Sequence, residues 1–144
     1  MKTQAVRIIK FDAGHRVVNH ESKCRTLHGH EYKAEIFAEA DTLDSLGRII
    51  DFSIIKQYIG SWIDNNWDHN LIIFKDDPDI ELIKQISGAK SAFITDFNPT
   101  AENIAKHMVE NIAPDILKGT GCVLIKCSVE ETRKCSAAYE IESI

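Results

Sequence analysis

Residues 30–40 alternate with a period of two. His30, Tyr32, Ala34, Ile36, Ala38 and Ala40 fall on one side, Glu31, Lys33, Glu35 and Glu39 on the other, and only Phe37 breaks the row. Successive side chains of a strand point to opposite faces, so this pattern predicts a strand packed on one face and wet on the other. Such a strand needs sheet neighbours and a layer covering its apolar side. Residues 4–11 (QAVRIIKF) read as the first neighbour. The pair forms a long antiparallel hairpin around a wide loop, residues 12–28, and a structureless loop of that length is more often functional than idle.

The rest of the chain supplies the covering layer. Asp51 is a plausible N-cap for a helix from Phe52 to about Asn65, with Ile55, Ile59, Trp62 and Ile63 as its apolar stripe. Asp76-Asp77-Pro78-Asp79 opens a short helix (IELIKQI) that Gly88 can close. Residues 92–97 read as a short strand. Thr100 caps a further helix with Ile104, Met108, Val109 and Ile112 on one face, and Pro114 is expected to end it. Residues 122–130 and 135–142 are the last two strands, joined around Arg133-Lys134. The order β-β-α-(α)-(β)-α-β-β predicts one α+β domain over residues 1–144, an antiparallel sheet with helices on one face.

Bulk properties exclude several functions. The 144 residues are 44% hydrophobic, enough for one real core and too few for two comfortable ones. With 22 acidic against 17 basic residues and a net charge of -5, the chain lacks the basic face that a nucleic-acid or membrane binder wants. No apolar run approaches the length of about 18 residues that a spanning helix needs. The first residues carry no apolar core followed by a small-residue cleavage site, so a cytoplasmic protein is expected. The 4 cysteines form no C-x-x-C pair, and disulfides are not expected. Cys122 and Cys127 sit in an apolar segment and read as small core residues, whereas Cys24 lies between Lys23 and Arg25.

The chemistry concentrates near the hairpin loop. His28 and His30 are two apart on one strand and face one point, and a hairpin brings His15 opposite them. Three neutral imidazoles suit zinc, and a site with three protein ligands keeps a position open for water or substrate. Cys24, four residues before His28, admits three readings: a loop cysteine with no role, a fourth ligand closing a structural site, or a thiol acidified by nearby cations. Asp68-His69 follows the first helix, and a carboxylate beside an imidazole can form an acid/base unit. On the strand from Cys122, parity puts Val123, Ile125, Cys127, Val129 and Glu131 on one face and Glu130 on the other. Glu131 thus continues the apolar row, where it could take two parallel hydrogen bonds from a guanidine-like N–H edge.

Together these pieces resemble the 6-pyruvoyltetrahydropterin synthase and 6-carboxytetrahydropterin synthase family. The matching segments are Phe11-x-Ala13-x-His15, Cys24-x-x-x-His28-Gly29-His30, Ile50-Asp51-Phe52, Asp68-His69-x-Leu71, Pro99-Thr100-x-Glu102-Asn103 and Glu131-Thr132. Each is weak alone; six in the family's order are specific. The three residues between Cys24 and the H-G-H resemble the bacterial carboxy type. The stretch from about Ile72 to Phe97 is extra relative to the shortest bacterial members and reads as peripheral.

The resemblance implies the tunnelling fold, in which subunits close their sheets into a shared barrel, usually a homohexamer built as a dimer of trimers with active sites between subunits. It implies zinc on His15, His28 and His30, Cys24 as the catalytic thiol, and Asp68 with His69 as its acid/base partner. Glu131 would anchor the pterin, with Thr100 and Glu102 also contacting substrate. The implied reaction converts 7,8-dihydroneopterin triphosphate to 6-carboxy-5,6,7,8-tetrahydropterin, releasing acetaldehyde and triphosphate, towards queuosine. Lys23, Arg25 and Lys134 border the site and are candidates for the phosphates. The rivals are the 6-pyruvoyl product on the same fold, an aldolase-like activity on dihydroneopterin, and a non-catalytic zinc-stabilised assembly module.

Overall fold

The computed structural model describes residues 2–143. The alternating strand, β2, spans His28–Ala40 and pairs along its length with β1, Ala5–His15. Both strands run further into the loop than the hydrophobic pattern indicates, and a short helical turn at Lys23–Arg25 is the only regular structure between them. The register sets Ala13 against His30 and His15 against His28. All three histidines therefore stand at one end of the hairpin, on the face that carries Phe11, Tyr32, Ala34 and Ile36 into the core.

β5, Cys122–Thr132, pairs antiparallel with the other edge of β2, and β6, Cys135–Glu140, pairs antiparallel with β5. Beyond β1 lie two strands, β3 at Asn70–Phe74 and β4 at Phe93–Thr95. β3 is parallel to β1 and β4 is parallel to β3, so the six-stranded sheet, in the order β4-β3-β1-β2-β5-β6, is mixed and not purely antiparallel as expected. The residues of β3 (NLIIF) contain a continuous apolar run, which has no two-residue alternation to announce a strand. The segment around residues 72–97 is thus not a detached appendage: its two strands extend the sheet and its helix α2, Ile80–Ile86, buries Ile83.

One face of the sheet is covered by two helical runs. The first, α1, comprises Phe52–Ile55, a wide turn at Lys56–Gly60 and Ser61–Asn66, and Asp51 caps it by accepting from the Ser53 N–H at 2.9 Å. The other, α3, comprises Ala101–His107, a wide turn at Met108–Ile112 and Ala113–Ile116, with the Thr100 hydroxyl accepting from Asn103 N–H at 3.1 Å. Pro114 does not end this run. The wide turn ahead of it lets Ala113 N–H reach back to the Met108 carbonyl, so Pro114 sits at the start of a fresh turn where no N–H is required. Between the layers, Phe11 stacks on Tyr32 at 5.0 Å and tilts against Trp67 at 5.5 Å, while Trp62 and Trp67 meet edge-on at 4.9 Å.

Parity on β5 fails at one place. A register shift opposite Phe37 and Ala38 leaves Ile125 as an extra residue, so Cys122 and Leu124, not Val123, are buried before the row resumes at Cys127 and Val129. Cys122 and Cys127 are core residues, and all four cysteines are free. Ile104 on α3 is fully buried in this core. Ile104→Ala is expected to lower stability by about 2–5 kcal/mol, read from urea denaturation; a loss below ~1 kcal/mol would contradict the packing described here.

Candidate active site

Two histidines of the cage, His15 and His28, are aimed by backbone carbonyls. His15 is 1% exposed, and its Nδ1–H donates to the Pro99 carbonyl at 2.6 Å. His28 Nδ1–H donates to the Thr26 carbonyl at 2.6 Å. In a neutral imidazole this assigns the lone pair to Nε2, and both Nε2 atoms turn inward. One ligand nitrogen from each of His15, His28 and His30 lies within 4.8 Å of the others. His28 Nε2 and His30 Nε2 stand 3.1 Å apart. His15 Nε2 is buried and has no hydrogen-bond partner among the described residues. A buried acceptor left unpaired is costly, and three imidazole nitrogens around one point fit a divalent metal ion that favours nitrogen. Burial pushes the His15 pKa down to about 4; the Pro99 hydrogen bond opposes this, and the nearby His28 and His30 add to it. Burial, then His28, also lowers His30. Neutral imidazole is the form a metal needs.

Glu131 faces this cage. Its carboxylate oxygens lie 3.8 Å from His15 Nε2 and 3.6 Å from His30 Nε2. Glu130 points the other way, to Lys33 at 3.7 Å. The strand is irregular here, because the β5–β6 register shifts between Glu130 and Thr132, yet the two glutamates keep the sides that parity assigned. Burial raises the Glu131 carboxyl above its ordinary value, with His28 opposing and Glu102 reinforcing.

Two cavities meet at the cage. One of ≈ 340 Å³ is lined by His15, Cys24, Thr100, Glu102 and Glu131 among others. The second, of ≈ 890 Å³, is lined by Lys23, Cys24, His28, His30, Glu131 and Lys134 among others. Cys24 and Glu131 border both, and so does Cys135, which no sequence pattern singled out. Arg133 joins Lys23 and Lys134 on the larger wall, whereas Arg25 is not among its lining residues. The Cys24 thiol lies outside the three-histidine group, as an open site requires and a closed four-ligand site does not.

Asp68 and His69 form a separate unit. His69 Nδ1–H donates to Asp68 at 2.8 Å, and the other Asp68 oxygen accepts from Asp12 N–H at 2.9 Å. His69 has φ +55°, a left-handed conformation rare for a residue with a side chain, and its N–H is held by the Asp12 carbonyl at 2.6 Å. Burial would raise the Asp68 carboxyl, but the Asp12 N–H and His69 outweigh it and hold it below the usual range. Hydrogen bonding to Asp68, then its charge, raises His69 above the ordinary imidazole value. His69 lines a third cavity, of ≈ 560 Å³, with Asp12, Gly29, His30 and Ile86. Within one chain, then, Cys24 and His69 line different cavities.

The model of the family described as 6-pyruvoyl tetrahydropterin synthase matches residues 5–142. The chain belongs to that family. It is an enzyme of the pterin-synthase kind, and its sheet and helices are the tunnelling-fold subunit. A protein of Rickettsia felis named 6-carboxy-5,6,7,8-tetrahydropterin synthase is 41% identical over 133 residues, covering 92% of this chain and 96% of its own. An uncharacterized protein of Wolinella succinogenes superposes with a TM-score of 0.81 at 26% identity over 99% of both chains. The 6-pyruvoyl tetrahydropterin synthase of Caenorhabditis elegans shares the fold, with a TM-score of 0.67 at 23% identity over 99% of this chain and 97% of its own. No helix among the described residues is long and apolar enough to cross a membrane.

The buried cage makes the metal-free protein acid-sensitive. The unfolded chain protonates His15 near 6.5 and the folded chain only near 4, so stability is complete above the first value and falls as the pH drops towards the second. In metal-free protein this contributes a loss of about 2 kcal/mol between pH ~8 and pH ~5. Urea denaturation at the two pH values should show that loss, and His15→Asn should remove it; an unchanged difference in the variant would place its origin elsewhere.

Proposed function

We propose that this chain is a zinc-dependent 6-carboxy-5,6,7,8-tetrahydropterin synthase. It would convert 7,8-dihydroneopterin triphosphate and one water to 6-carboxy-5,6,7,8-tetrahydropterin, acetaldehyde and triphosphate, as one tunnelling-fold domain in the cytoplasm on the route to queuosine. The observation that carries the reading is the unpaired, buried His15 Nε2 in a cage of three imidazoles beside Cys24 and Glu131. The activity named for the Rickettsia felis relative supports the choice of substrate and product.

The roles follow from placement. His15, His28 and His30 would hold the ion through the nitrogens turned inward. Bound zinc would supply a Lewis acid that acidifies C–H and O–H groups on the substrate side chain. Cys24, at the junction of the two cavities, moves a proton at that side chain. Glu131 takes two parallel hydrogen bonds from the N–H edge of the pterin, with Thr100 and Glu102 on the wall of the same cavity. Lys23, Arg133 and Lys134 stand along the larger cavity, where they would meet the triphosphate. Asp68 fixes the His69 tautomer so that Nε2 faces outward and handles the second proton transfer.

Because His69 and Cys24 line different cavities of one chain, we assign the Asp68–His69 pair to the site of a neighbouring chain in a closed ring, a homohexamer built as a dimer of trimers. The sheet face opposite the helices carries Lys33 with Glu35 and Glu130, and Lys126 with Glu140, as a barrel with a wet lumen would need.

Incubating the zinc-loaded protein with 7,8-dihydroneopterin triphosphate should yield acetaldehyde and a carboxypterin by mass spectrometry, and Cys24→Ala should keep its zinc while turnover falls by ~100-fold or more. A pyruvoylpterin product would overturn the carboxy assignment, and loss of zinc from the variant would make Cys24 a ligand. Mixing the inactive variants Cys24→Ala and His69→Ala through a cycle of dissociation and reassembly should restore turnover. A mixture as inactive as its components would put both residues in the same chain's site.

A further inference from the structure

The loop that carries Cys24 leaves β1 through residues 15–18, and the segment between β3 and α3 fastens His15, Arg16 and Val18 of that exit. His15 Nδ1–H donates to the Pro99 carbonyl at 2.6 Å. Arg16 forks onto the buried Asp77, Nε to Oδ2 at 2.7 Å with its second nitrogen on Oδ1, and reaches Asp79 at 2.7 Å. Asp77 is 3% exposed, and Arg16 holds its carboxyl below the usual range. Val18 is gripped from both sides of its peptide: its N–H donates to Asn98 Oδ1 at 2.9 Å and its carbonyl accepts from Asn98 Nδ2 at 2.9 Å.

Asn98 is itself fixed. Its carbonyl accepts from Thr100 N–H at 2.8 Å and from the Asn103 amide at 3.0 Å, which ties it to the capped end of α3. The grip passes to the backbone that carries the reactive thiol, because Val17 N–H donates to the Cys24 carbonyl at 2.8 Å. Asn98 thus holds Val18, and the adjoining Val17, one covalent step away, holds the Cys24 carbonyl by its own hydrogen bond. Asn19 follows with φ 66°, so the chain turns sharply as soon as it leaves the clamp. Without such fastening, a loop with one short turn of its own would sample many positions for Cys24.

We infer that Asn98 is a positioning residue for the Cys24 thiol, acting through Val18 and Val17, with the Arg16–Asp77 pair as a second fastening. The stretch from about Ile72 to Phe97, peripheral by its sequence, supplies Asp77 to that second fastening, and Asn98 follows it directly. The inference rests on the reading of Cys24 as the proton-transferring thiol.

The test uses zinc-loaded, full-length protein. In Asn98→Ala, kcat should fall by ~10- to 100-fold with KM little changed, since small displacements of a reacting group carry costs of that size. Zinc content should stay at the wild-type level, and iodoacetamide should modify Cys24, mapped by mass spectrometry, severalfold faster. Asn98→Asp keeps the acceptor for Val18 N–H and should fall between wild type and the alanine variant; it also serves if the alanine variant folds poorly. Unchanged kcat and alkylation rate overturn the inference, as does a loss of activity that only follows loss of zinc or of folded protein. If Cys24→Ala itself retains turnover, the functional reading fails, and the alkylation rates still decide whether Asn98 holds the loop.

Discussion

The pairing of His15 with His28 across β1 and β2 is the contact on which the rest of the site depends. Antiparallel register makes two residues distant in sequence direct neighbours, and the two-residue period of β2 adds His30 on the same side. A slip of one residue would turn the histidines to the wet face. The apolar residues below them, Phe11, Tyr32, Ala34 and Ile36, prevent it, because the same slip would expose the core. The three-histidine cage and the fold are specified by a single register.

The aromatic packing beneath the cage also sets its chemistry. Tyr32 stacks on Phe11 and meets the rings of His15 and His30 edge-on at 5.8 and 5.4 Å. These contacts remove water from His15, which is why the ring stays neutral far below the usual imidazole range. Its remaining polar atom then lacks a hydrogen-bond partner among the described residues, so the same burial that stabilises the fold creates a demand for a cation. By contrast, His69 is exposed at 74% of its side chain, and a carboxylate raises its basicity. The two environments shift the imidazoles in opposite directions, His15 down and His69 up.

Much of this was legible in the chain. The alternation of β2, the caps at Asp51 and Thr100 and the apolar stripes of α1 and α3 are local signals, because they depend on neighbours within a few residues. The three histidines were legible through strand parity. Other features carried no such signal. β3 is a short continuous apolar run, and the mixed sheet follows from its parallel pairing with β1. The extra residue on β5 inverts the parity of Val123 and Leu124, and Pro114 is accommodated by a wide turn that no spacing rule anticipates.

By itself the sequence determined which residues could meet: a period-two row fixes a face, and six ordered motifs fix a family. Tertiary structure decided how they are held. The Pro99 and Thr26 carbonyls that aim the imidazoles, the Asn98 clamp on Val18 and the fork of Arg16 on Asp77 join backbone and side chains far apart in the chain. A backbone carbonyl has no residue identity to read, and a polar contact across 80 residues leaves no local pattern. The separation of Cys24 from His69 into different cavities was likewise decided only when the sheet folded, because it depends on which end and which face of β1 each loop reaches.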